Sequence, residues 1–171
     1  GRMDLIGLIP SFGNVLWTVA AFVVALSVIV AVHEYGHYIV GRWTGIHAEV
    51  FSIGFGPVIY SRQDSRGTRW QVAALPLGGY VKFLGDADAA SAGRDDAAMA
   101  ALDEAEARHT MHGAPLWARA LTVAAGPFFN FALSILVFAA VLAIRGIAAE
   151  PLTVGSVHEM PGETGLLPGD V

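Results

Sequence analysis

No Asp, Glu, Lys or Arg interrupts the chain between Asp4 and Glu34, and this constrains its fold more than any other feature. The most apolar part, Val15 to Val32, contains Leu16, Trp17, Phe22, Val23, Val24, Leu26, Val28, Ile29 and Val30. A membrane-spanning helix needs about 20 such residues. A second charge-free stretch lies between Arg119 and Arg145. It has about 25 residues and would reach roughly 37 Å as a helix, enough to cross a bilayer with some tilt. The expected fold class is therefore a membrane protein, mainly α, with two transmembrane helices at 15–41 and 118–145, after an N-terminal segment 1–14.

The rest of the composition removes other classes. Only 15% of residues are charged and 54% are apolar, against roughly 25% charged in average globular chains. The net charge is −5, so there is no basic footprint for nucleic acid. Cysteine is absent, which excludes disulfide scaffolds, thiolate metal sites and cysteine nucleophiles. Any metal must be held by His, Asp or Glu. A cleaved signal peptide fits the first run poorly. The run exceeds the usual apolar length of about 7–15 residues, and no small-residue cleavage site follows it. Of the ten basic residues, only Arg2 and Arg145 lie outside the segment that joins the spans. The positive-inside rule then places that segment in the cytoplasm and both chain ends outside.

Between the spans, residues 42–85 are rich in β-branched and aromatic residues and punctuated by Gly and Pro. Asp64-Ser65-Arg66-Gly67 reads as a turn, and three or four short strands in hairpins are expected around it. Residues 86–117 are Ala-rich and acidic, which predicts a solvated loop or short surface helix. Residues 150–171 are polar again.

The chemistry is concentrated in His33-Glu34-Tyr35-Gly36-His37. On a helix, residues four apart share a face one turn apart. Two imidazoles so placed can bind one zinc ion, and the glutamate between them can deprotonate water held there. Composition alone produces H-E-x-x-H about once in a hundred chains of this make-up. Its position adds more, because ionisable groups in a membrane helix are costly without a partner. His47 reads as a strand or turn residue. His109 and His112 read as solvated loop residues, because nothing beside them completes a metal shell.

HEYGH at the end of the first span, then FSIGFGP, LPLGGYVKFLG and AAGPFFNF, in this order, resemble the site-2 proteases of the regulator-of-sigma-E type. The resemblance covers Val15 to Val171. It implies an intramembrane zinc endopeptidase with His33 and His37 as metal ligands and Glu34 as the catalytic base. It implies a membrane-associated β-hairpin region that receives substrate, here including Gly54, Phe55, Gly56, Gly78, Gly79 and Tyr80. Plain turn chemistry explains each of these glycines equally well. Gly126, Pro127 and Asn130 match the second-span motif. Pro127 would free a helix carbonyl. Asn130 can bind substrate or a neighbouring helix, and helix packing is the commoner use. The tail GSVHEMPGETGLLPGDV is similar to the start of a PDZ-like domain. The implied setting is the bacterial inner membrane, and the implied partners are the lipid bilayer and a single-pass substrate such as an anti-sigma factor.

The family's third zinc ligand is an aspartate in an L-D-G motif of a later span, and no such motif occurs in these residues. The expectation is an N-terminal fragment that binds zinc weakly and cleaves nothing alone. Two other readings compete. A membrane di-iron enzyme would need about eight clustered histidines, and this chain has 6. A non-catalytic membrane adaptor would use the hairpin and tail to bind partners, but it has no need of an intact HEYGH.

Overall fold

The computed structural model describes residues 5–88 and 93–146, with side chains from residue 13 onward. The PDZ-like tail and His158 lie outside the described residues. Residues up to Leu133 form one compact unit, and Ser134 onward a second. Every feature of the candidate site belongs to the first.

Helix α1 runs Leu5–Trp43. It is followed by strands β1, Ala48–Gln63, and β2, Arg69–Phe83. Two short helices, α2 (Asp96–Ala100) and α3 (Glu104–Ala107), precede the long α4, Leu116–Arg145. Two helical stretches, Gly13–Trp43 and Leu116–Arg145, are long and apolar enough to cross a membrane. Their large side chains face outward, as with Phe22 at 64% and Phe138 at 68% exposure. The two helices thus present contiguous apolar surface, which is compatible with membrane spans.

The C-terminus of α1 is closed by a glycine cap. Gly45 adopts φ +88°, and Ile46 N–H donates back to the Gly41 carbonyl at 2.8 Å. Only glycine takes this conformation without steric penalty. The last carbonyls gain further donors, with Arg108 bonding Thr44 O at 3.1 Å and His109 Nδ1 lying 2.6 Å from Gly45 O. His109 is exposed, as expected of a loop residue, and its Nδ1 also contacts the end of α1.

The strands pair antiparallel as one hairpin. The Asp64–Gly67 turn forms as the sequence predicts. Asp64 accepts from the Arg66 and Thr68 amides and from Trp70 Nε1, and Gly67 has φ +89°. Both strands then bend. Val50–Ile53 pairs with Gly79–Lys82 on one side and with Arg69–Val72 on the other. In place of three or four separate strands, two long strands supply four short paired segments. The bend needs Gly54 and Gly56, whose φ angles are +88° and +81°.

A core of Tyr38, Ile46, Ala48, Phe51, Phe83, Ala114 and Ala118 joins the end of α1, the hairpin base and the start of α4. Trp70 caps it, 4.5 Å from Phe51 and 4.9 Å from Tyr38 between ring centres. Such aromatic pairs add about 0.5–1.5 kcal/mol beyond burial. The acidic segment forms the short helices α2 and α3, capped by Asp95 and Asp103.

Candidate functional site

The HEYGH residues occupy one end of α1, and helical spacing puts His33 and His37 together. Their rings lie 4.8 Å apart, edge to face. Two other elements enclose them.

The first is α4, which approaches α1 closely. A methyl group on Gly36 would stand 2.6 Å from the Ala125 carbonyl oxygen. The glycine inside the motif is thus required by helix packing, the usual use of small residues between apolar helices. At this crossing α4 presents Thr122, Gly126 and Asn130, four residues apart and so on one stripe. The Thr122 carbonyl lies 2.8 Å from His37 Nδ1. A carbonyl can only accept, so His37 carries a proton on Nδ1 and its Nε2 is free to ligate. The Asn130 amide lies 3.1 Å from His33 Nδ1. Between them, a methyl group on Gly126 would be 2.8 Å from His33 Nε2 and would collide with His37 Nε2. Both Nε2 atoms therefore face one point that glycine alone leaves open.

The second element is β2. A methyl group on Gly79 would stand 3.3 Å from Glu34 Cγ and 3.2 Å from Val30 Cγ1. The Val81 backbone amide faces the Glu34 carboxylate. The bend of the hairpin extends along α1, where Ser27 Oγ donates to the Pro76 carbonyl at 3.3 Å. Around this bend Phe55, Ile59, Leu75 and Leu77 are exposed, while Arg62, Asp64, Arg66 and Arg69 gather at the opposite end.

The arrangement suits a metal. Two imidazole Nε2 atoms converge, each ring is held through its other nitrogen, and a carboxylate stands beside them, as in histidine-bound zinc centres. Among the described residues no group of three or more His, Asp or Glu side chains is placed to hold a metal. The site thus brings together two imidazoles and one carboxylate.

The remaining expected residues divide. Gly79 reaches Glu34. Gly54 packs its backbone against the Ala73 and Leu75 carbonyls, and Gly78 makes room for the Phe55 ring. Tyr80 stacks on Phe55 and accepts from Gln71 Nε2 at 2.9 Å. His47 joins backbone bonding between His109 and Leu84. His112 is partly buried where a solvated residue was expected, because its Nε2 pairs with the buried Asp86 carboxylate at 3.4 Å. Sequence reasoning missed the Thr122 carbonyl and the Val81 amide. Only the four-residue periodicity of Thr122, Gly126 and Asn130 hinted at the former.

Residues 21–164 match peptidase family M50. The chain belongs to that family. Similar proteins include a candidate zinc metalloprotease of Agrobacterium fabrum, 50% identical over 155 residues that cover 89% of this chain and 41% of that protein. One from Rhizobium meliloti is 47% identical over 92% of this chain and 42% of its own. The metalloprotease MmpA of Caulobacter vibrioides is 45% identical over 85% of this chain and 39% of its own. The chain spans about two fifths of the length of these relatives. Zinc is the metal named for the first two of these relatives.

Proposed function

We propose that the protein is an intramembrane zinc metalloendopeptidase that hydrolyses a peptide bond in the membrane segment of a single-pass protein. One observation carries this reading. The two Nε2 atoms of an H-E-x-x-H motif converge on a glycine of a second apolar helix.

In this reading His33 and His37 hold zinc through Nε2. A catalytic zinc usually has three protein ligands, and the third comes from residues outside those described. Zinc, when bound, polarises the scissile carbonyl and acidifies the attacking water. Glu34 takes the proton from that water as its oxygen bonds to the carbonyl carbon. The same carboxyl group then delivers the proton to the leaving nitrogen as the C–N bond breaks. The Val81 amide holds the carboxylate in place.

A helical substrate must unwind before its peptide bonds can be reached, and in lipid its exposed backbone groups need partners. The β2 segment at Gly79–Val81, next to Glu34, offers a strand to which an unwound segment can add. The apolar bend of the hairpin lies within the membrane, and its charged turn lies at the cytoplasmic surface with Arg42 and Arg119. The protein sits in the bacterial inner membrane, with an anti-sigma factor as the class of substrate that the resemblance implies.

The test is cleavage of a single-pass reporter by the full-length protein in membranes. Glu34→Gln is expected to lower the rate by about 10²–10⁴-fold while zinc stays bound. Cleavage by that variant at the normal rate would contradict the role of Glu34.

A further inference from the structure

We infer that Asn130 is a positioning residue: its amide oxygen accepts the Nδ1 proton of His33 and thereby turns the Nε2 lone pair of His33 toward Gly126. The inference rests on the metal-site reading above and deepens it.

An amide nitrogen of Asn130 is placed 3.1 Å from His33 Nδ1, while its Oδ1 is buried without a partner among the described residues. The two ends of an amide exchange on a half-turn about its last bond, and the hydrogen-bond partners decide between them. Here only one end has a partner, so His33 alone selects the orientation. With nitrogen toward Nδ1, the imidazole must accept there and carry its proton on Nε2, where it cannot ligate. With oxygen toward Nδ1, the proton sits on Nδ1 and Nε2 is free. The second arrangement repeats what the Thr122 carbonyl does for His37 at 2.8 Å. One stripe of α4 then sets both imidazoles, and Gly126 between the two acceptors leaves the space they face.

This gives the second-span asparagine a task distinct from helix packing or substrate contact. Metal-bound histidines commonly donate their second ring N–H to an oxygen acceptor, and loss of that acceptor typically costs about 10–100-fold in metal affinity.

The experiment compares zinc affinity, by chelator competition, in the full-length protein and in the variants Asn130→Leu, Asn130→Asp and His33→Ala. Asn130→Leu has similar volume and no acceptor, and is expected to bind zinc about 10–100-fold more weakly. Asn130→Asp keeps an acceptor and no donor, and is expected to stay close to the unaltered protein. Nitrogen NMR of labelled histidine supplies a readout that a packing role would not move. His33 is expected to be protonated at Nδ1 and ligated at Nε2 in the zinc-loaded unaltered protein and in Asn130→Asp. The proposal is overturned if Asn130→Asp weakens as much as Asn130→Leu with unfolding temperature unchanged, or if Asn130→Leu binds normally. It is also overturned if His33 in the unaltered protein lacks the Nδ1 proton, which needs no variant to fold. Should the unaltered protein bind no zinc that His33→Ala removes, the metal reading fails with it. Normal binding by Asn130→Leu beside loss in His33→Ala overturns the positioning role alone.

Discussion

Gly126 keeps open the space in front of His33: a methyl group on it would stand 2.8 Å from His33 Nε2. Helix propensity argues for alanine at this position by about 1 kcal/mol. Gly126→Ala is therefore expected to leave α4 and the unfolding temperature intact, while displacing both imidazoles and removing most zinc binding. Zinc content and thermal unfolding, measured on one preparation, check both halves. A variant that binds zinc normally would contradict the assignment of this space to the metal.

Gly36 tests the helix crossing instead of the metal. Its missing methyl would meet the Ala125 carbonyl oxygen at 2.6 Å, whereas Gly13 has nothing within 4 Å. Overpacking costs about 1–3 kcal/mol, and a backbone oxygen cannot rotate aside. Gly36→Ala is expected to lower the unfolding temperature and to disturb the His37–Thr122 bond. Gly13→Ala is expected to be neutral or slightly stabilising. Equal effects of the two substitutions would sink the close-crossing account.

Asp86 follows β2 and lies outside the apolar helices. Burial pushes its carboxyl above the ordinary range, and the Phe83 amide, His112 and Lys82 offset this only in part. Protonated Asp86 thus favours the folded state over the unfolded one more than ionised Asp86 does. That contribution is complete below the ordinary carboxylate pKa of about 3.9 and is lost as pH rises through the raised value. Asp86→Asn retains an acceptor for Phe83 N–H and never ionises. Its unfolding temperature is expected to exceed that of the unaltered protein at pH 8, with the gap closing as pH falls below about 4. A less stable Asp86→Asn at pH 8 would show that the His112 and Lys82 attractions outweigh burial.

How much of this was legible depended on the range of each signal. Both long helices followed from charge-free runs, and the pairing of His33 with His37 followed from a fixed helical offset. The Asp64–Gly67 turn followed from side chains that bond their own backbone. What failed to register was long-range. The Thr122 carbonyl is a backbone group with no residue signature, and its partner lies 85 positions away. Asn130 was visible as a polar residue in an apolar helix, but nothing local connected it to His33, 97 positions earlier. The hairpin's glycines were visible as turn formers. That Gly54 and Gly56 bend a strand until Val50–Ile53 has partners on both sides depends on pairings set only in the folded chain.

The most direct test of the central claim is the zinc K-edge X-ray absorption of the purified full-length protein. The account predicts one zinc per chain with imidazole nitrogens at about 2.0–2.1 Å, an imidazole signal reduced in His33→Ala and in His37→Ala, and retention of the metal in Glu34→Gln. Zinc without imidazole ligands, or a spectrum unchanged when both histidines are replaced, would contradict it.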